Sequence, residues 1–167
     1  TDLIVVNDAV YFIMESADTS TEADTRVCFG KATVGTSVIT IEWIKELNNT
    51  LYSFLDTSLV SDEFDEFYIT STLRLKSDDT TKDSVWVGKL DGDGDLLWNY
   101  RYVAPTGNTV TAAPTSVIDI FGDLNIAYTR EDNTTGYKTV DTLKIGYDGK
   151  MKKQTNNEFN KNNIEGI

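Results

Sequence analysis

The sequence predicts an all-β fold of three four-stranded antiparallel units, and two observations predict it. Short runs of β-branched and aromatic residues follow one another along the chain, separated by Asp, Asn, Gly, Ser and Thr, which is the strand-and-turn signature. The same succession of strands then recurs at a fixed spacing. The one helix-like segment, IEWIKELNN, is short, uncapped and preceded by the β-branched SVIT, so its first half reads as strand.

The first unit, residues 1–49, carries the candidate strands LIVVN, AVYFIMES, TRVCFGKAT and SVITIEWIK. The second, 50–106, carries FLDTSLVS, EFYITSTLRL, SVWVGKL and LLWNYRY. The third, 107–155, carries TSVIDI, LNIAYTRE, TVDTLKIGY and a weak last strand near KMKKQT. Polar linkers of similar character (ADTSTEAD, KSDDTTKD, DNTTGYK) join second to third strands. Residues 156–167, Asn-rich and poor in core residues, read as a polar tail or linker.

Gly30, Gly88 and Gly146 stand 58 residues apart in CFGK, WVGK and KIGY, and Val10, Tyr68 and Ile126 keep the same interval. Each glycine follows an Asp and a hydroxyl residue (Asp24-Thr25, Asp83-Ser84, Asp141-Thr142) and precedes a second turn glycine, Gly35, Gly94 or Gly149. Four consecutive antiparallel strands in a repeat of ~40–50 residues or slightly more is the pattern of β-propeller blades.

The stretch DSVWVGKLDGDGDLLWNYRY resembles the third-to-fourth-strand hairpin of bacterial-type β-propeller repeats, which run from an Asp through Lys-Leu-Asp and a glycine turn to Leu-Trp. VDTLKIGYDGKM is similar but places Lys153 near the position of Trp98, and the first unit keeps an aromatic at Trp43. The resemblance covers about residues 2–155 and implies propeller architecture without implying an activity. Three blades are fewer than the ~4–8 of a closed propeller. The expectation is therefore a β-propeller-like arc belonging to a larger ring or assembly, with a β-sandwich or a three-unit stack as the alternative. The chain opens at Thr1 directly on LIVV, which fits a processed protein or a piece of a longer one.

Aromatic residues make up 11% of the 167 and hydrophobic ones 40%, enough for a folded core. A net charge of −12 argues against a nucleic-acid partner and suits an exposed protein. The chain contains no histidine, which removes Ser-His-Asp and Cys-His catalysis and His-ligated metals. Cys28 has no disulfide partner and is expected to be a small buried hydrophobe. Asn48 and Asn133 head glycosylation sequons.

Two acidic stretches are candidate sites. In KLDGDGDLLWNYRY, Asp91, Asp93 and Asp95 alternate with glycines as metal-binding aspartates do, and calcium is the cation that such oxygen donors would take. The positions that an EF-hand fills with glycine and glutamate hold Leu96 and Tyr102, and the sister turns TVGTS and YDGK carry no carboxylate and one, respectively, so the stretch reads first as a hairpin turn. In SDEFDEF, the carboxylates of Asp62, Glu63, Asp65 and Glu66 flank Phe64 in a loop, where ligand contacts gather; an acid–base pair for glycoside cleavage is the catalytic alternative. Trp43, Trp86 and Trp98 are expected to fill space within or between units. Cys28, Gly30, Gly88 and Gly146 are expected to be structural.

The functional expectation is a non-enzymatic binding or structural module of an extracellular, cell-surface or virion protein, holding no cofactor. It would contact protein partners, glycans or further blades through Asp62, Glu63, Asp65 and Glu66, and through the polar linkers. A carbohydrate-active propeller and a calcium-dependent adhesion module are the alternatives.

Overall fold

A computed structural model of the chain describes residues 2–17, 25–47, 49–77 and 82–158. Among them there is no helix, and thirteen strands form three antiparallel sheets. Sheet 1 is β1 (Asp2–Val6), β2 (Ala9–Ala17), β3 (Thr25–Val34) and β4 (Ile39–Leu47), paired in chain order. Sheet 2 repeats that order with β5 (Tyr52–Ser61), β6 (Phe67–Leu75), β7 (Lys82–Leu90) and β8 (Leu96–Val103). Sheet 3 contains β10 (Thr115–Ile118), β11 (Leu124–Asp132), β12 (Lys138–Ile145) and β13 (Met151–Glu158). It also holds β9 (Asn108–Val110), which pairs with the far end of β11.

Several expectations are corrected here. The third unit has five strands, not four, because Asn108–Val110 is too short to show a period yet pairs with Arg130–Asp132. IEWIKEL is strand throughout. Residues 156–158, read as tail, extend β13; the remainder of that tail lies outside the described residues, as do 18–24 and 78–81 of the linkers.

The register corrects the repeat markers. In all three sheets a lysine faces the residue at the same point of the preceding strand and sits immediately before a bulge: Lys31 opposite Tyr11 and Trp43, Lys89 opposite Tyr68 and Trp98, Lys144 opposite Asn125 and Lys153. Gly30 and Gly88 are thereby equivalent, but Leu143 occupies the third position and Gly146 lies beyond the strand in the following turn. Likewise Tyr11, Tyr68 and Asn125 correspond, not Val10, Tyr68 and Ile126. Side chains alternate between faces along a strand, so a one-residue slip would reverse every face assignment.

Three of the hairpin turns share one chemistry. In those starting at Asp62, Asp91 and Asp119, the first residue's N–H donates to the fifth residue's carbonyl at 3.0 Å. The same aspartate's Oδ1 accepts the N–H groups of the third and fifth residues at 2.8–3.1 Å. The fourth residue is left-handed, at φ 58° for Asp65, 79° for Gly94 and 75° for Gly122. This is the three-residue loop with a bulge that antiparallel twist favours, with the aspartate supplying an acceptor the backbone lacks.

The sheets pack face to face in chain order. We call the face turned toward the next sheet leading, and the other trailing. Tyr11, Ile13, Val27 and Phe29 on the leading face of sheet 1 form one core with Phe54, Leu59, Phe67, Ile69, Trp86 and Leu90 on the trailing face of sheet 2. Tyr68, Val85 and Val87, leading on sheet 2, form a second core with Val110, Leu124, Ile126, Tyr128, Leu143 and Ile145 of sheet 3. The central strands β6 and β7 of sheet 2 are thus covered on both sides, and Phe67–Leu73 is buried without a break.

One contact repeats at both interfaces. The Trp43 ring lies where a Cβ on Gly94 would be, at 2.8 Å, and the Trp98 ring covers Gly149 at 2.9 Å. Both glycines have φ of 79°, so the turn and the indole demand glycine independently. Trp98 also donates its Nε1–H to the Tyr147 carbonyl at 3.0 Å. Gly30 and Gly88 are crowded on their own sheets, by the rings of Phe12 and Trp86. Of the other residues expected to be structural, Gly146 closes a hairpin by donating to the Lys150 carbonyl, and Cys28 is half-buried, its thiol pushed up by burial and by Glu46.

Gly94→Ala and Gly149→Ala should each lower unfolding free energy by more than the ~1–2 kcal/mol cost of a left-handed alanine, because an indole must also move. Gly136, with φ of 70° and nothing within 4 Å of its Cβ position, is the control that should show the conformational cost alone. Urea unfolding of the three variants measures the difference.

Candidate functional site

The hairpins β5–β6 and β10–β11 emerge from the same end of sheets 2 and 3, and with the β12–β13 turn they frame a cleft of about 630 Å3. Asp62, Glu63, Phe64 and Glu66 line one wall, Asp119, Ile120 and Phe121 the other, and Lys89 and Tyr147 complete it. Three of the four acids expected to contact ligand meet here. Asp65 does not line the cleft; its carboxylate accepts both bonds of Asn7 Nδ2, at 3.0 and 3.1 Å, and ties the first hairpin of sheet 1 to that of sheet 2.

The tips of these loops are apolar and open to water. Phe64 is 73% exposed, Ile120 93%, Phe121 75% and Tyr147 65%. Phe64 and Phe121 are each the third residue of the shared turn, and so occupy matching positions on neighbouring hairpins. Sequence reasoning missed Phe121 and Tyr147. They join Phe64 only through sheet stacking, and the single available signal was FGD following an aspartate as FDE follows Asp62.

Beneath the tips, the carboxylates are already engaged. Lys89, its side chain 6% exposed, pairs with Glu66, stands 4.0 Å from Asp62 Oδ2, and lies 5.0 Å from the centre of the Tyr68 ring. Burial alone would lower its ammonium, yet hydrogen bonding to Glu66 and Tyr68 carries it above the ordinary lysine value. The equivalent Lys144 pairs with Asp119 at 2.6 Å and Asp123 at 3.2 Å and is raised by those bonds. Asp119 is held well below the usual carboxylate range, by Lys144 first, and Asp123 is lowered by Lys152 and then Lys144. Glu63, exposed on the rim, stands apart from these lysine pairs.

The DGDGD turn lies outside the cleft. Asp91 Oδ1 accepts from Asp93 and Asp95, Asp95 pairs with Lys45 of sheet 1 at 2.5 Å, and Asp93 is exposed. No group of three or more His, Cys, Asp or Glu side chains arranged to hold a metal ion occurs among the described residues. No protein-family model, curated protein or solved structure matches this chain.

Lys89→Met should cost about 1–3 kcal/mol, because it removes the ammonium that partners Glu66 and leaves Asp62 Oδ2 facing a methionine. Glu63→Gln should stay within ~0.5 kcal/mol of the parent; chemical unfolding separates the two. The depressed Asp119 and Asp123 contribute stability that is complete above the ordinary aspartate value of ~3.9 and is lost as pH falls below it. Lys144→Met should flatten that acid limb, read as the pH dependence of the unfolding midpoint.

Proposed function

We propose that this chain is a non-enzymatic binding module built as three blades of a β-propeller-like array, and that it holds its partner in the cleft between the β5–β6 and β10–β11 hairpins. The carrying observation is the set of exposed apolar tips, Phe64, Ile120, Phe121 and Tyr147, around one concavity. Aromatic side chains left in water at matching loop positions are the composition of a contact surface, since they supply large buried area at small entropic cost. The partner is a protein surface offering apolar side chains fringed by basic charge, which the net charge of −12 and the rim carboxylate Glu63 attract. Engagement of Asp62, Glu66, Asp119 and Asp123 with lysines supports binding over glycoside cleavage, which needs one free carboxylate and one protonated acid. The reading places the module in an exposed protein of a cell surface, secretion or a virion, where acidic β-repeats stay soluble.

The test is a Phe64→Ser, Phe121→Ser double variant beside the parent chain, probed on a peptide array of apolar–basic sequences and on a glycan array. Peptide binding that the variant loses by tenfold or more supports the reading. Binding that survives, binding confined to glycans, or turnover of chromogenic glycosides overturns it. The calcium alternative has its own measurement: after chelation, added calcium should leave the melting temperature unchanged, and a rise would place a cation at the Asp91–Asp95 turn.

A further inference from the structure

We propose that the trailing face of sheet 1 is an interface that receives the aromatic leading face of a further four-stranded sheet of this same repeat. The inference rests on the blade reading above and names the partner of a face that reading leaves open. The chain contains the interface twice, between sheets 1 and 2 and between sheets 2 and 3, so its chemistry is known on both sides. Trailing faces are apolar: Phe67 and Ile69 on sheet 2 correspond by register to Leu124 and Ile126 on sheet 3. At those two positions sheet 1 carries Val10 and Phe12, and Leu3, Val5, Met14 and Ile44 continue the surface. Among the described residues no sheet covers it. Leu3 is 60% exposed, Val5 67% and Ile44 45%, on a face that is apolar across its middle and carries the Arg26–Glu46 ion pair toward one end.

The occupant follows from what covers the other two trailing faces. Leading faces bring Tyr11, Val27, Phe29 and Trp43 from sheet 1, and Tyr68, Val87, Trp98 and Tyr100 from sheet 2. A second copy of this chain does not supply such a face. At the register positions of Tyr68, Val87, Trp98 and Tyr100, sheet 3 holds Asn125, Thr142, Lys153 and Thr155, which with Val117 and Ala127 line an open groove of about 560 Å3 that no aromatic ring fills. Lys144 is no obstacle, since Lys89 occupies the same place at the second interface, but head-to-tail stacking of copies would press Lys153, which stands where sheet 2 has Trp98, onto the apolar face at the cost of desolvating its ammonium group. The trailing face of sheet 1 therefore fits a sheet like sheets 1 and 2, not one like sheet 3.

The experiment converts sheet 3 into such a sheet within the full chain, with Asn125→Tyr, Thr142→Val, Lys153→Trp and Thr155→Tyr combined. Sedimentation equilibrium should find the quadruple variant associating, with a weight-average mass that rises with concentration to at least twice the monomer. Adding Phe12→Glu on the opposite face should return it to monomer. A folded quadruple variant that stays monomeric overturns the proposal, as does association that persists with Phe12→Glu. A parent chain that is already a dimer, and is dissociated by Phe12→Glu alone, also overturns it, because a second copy would then own the face. Should the quadruple variant lose the parent's circular dichroism, Lys153→Trp with Thr155→Tyr on the outermost strand is read against the same outcomes. Phe64 and Phe121 lie on neither face, so failure of the cleft test leaves the sedimentation result standing.

Discussion

The central strands of sheet 2, β6 and β7, have no solvent-facing side, and much of the molecule's chemistry follows from that constraint. A strand buried on both faces cannot alternate apolar and polar residues, and every polar group it carries needs an internal partner. In β6, Ser71 Oγ donates to the Leu55 carbonyl at 2.8 Å, Thr72 Oγ1 donates to the same oxygen at 2.9 Å, and Thr70 shares a hydroxyl–hydroxyl bond with Ser58. Both bonds to Leu55 fall where β5 breaks register, between Leu55 and Ser58, with Asp56 left-handed at φ 53°. The hydroxyls thus satisfy a carbonyl that the bulge withdraws from the ladder. Lys89 obeys the same rule at the end of β7, where two carboxylates and a tyrosine close around its buried stem.

The interfaces are made specific by few contacts. Apolar burial is non-directional and would let one sheet slide over another. Each indole, Trp43 and Trp98, rests on a glycine that only one turn geometry supplies, so sliding by a residue would drive the ring into a Cβ-bearing neighbour. Polar ties at the rims reinforce the setting: Asn7 to Asp65, Glu15 to the N–H of Thr57, Asp2 to the N–H of Leu59, and Gln154 to the Tyr102 hydroxyl. These bonds run between sheets and are individually small. Their role is alignment; the cores supply the stability.

The fold class and twelve of the thirteen strands were legible because β-branched runs bounded by Asp, Asn and Gly leave little else to form. The exact register was not. The 58-residue glycine interval joined Gly146 to Gly88 although one is in a turn and the other in a strand; the bulge after Lys89 and Lys144, and hairpins of different length, shift the true interval from strand to strand. A marker less prone to this error was present in the lysine preceding each bulge, which depends on pairing rather than on turn length. The cleft was half legible. SDEFDEF announced a polar loop of carboxylates around Phe64, but Phe121 and Tyr147 reach it through packing of two sheets, which no local pattern encodes. The sandwich alternative and the ring reading share these same strands, so strand prediction alone does not choose between them.

The acidic turns show how a strongly charged loop can serve structure. What recurs at Asp62, Asp91 and Asp119 is an oxygen acceptor at the first turn position, aimed at two backbone N–H groups; a carboxylate performs this task better than a neutral amide because charge strengthens both bonds. The β12–β13 turn has Gly146 in that place, and Asp148 instead accepts from the N–H of Lys150. Once the first aspartate is occupied, further acids in the loop are free to act elsewhere. Asp95 does so by pairing with Lys45 across the interface, and Asp123 by pairing with Lys144 and Lys152. A run such as DGDGD therefore divides its carboxylates between holding a turn and joining two sheets. The aspartates resemble a metal cage in spacing while their donors are backbone amides and lysine.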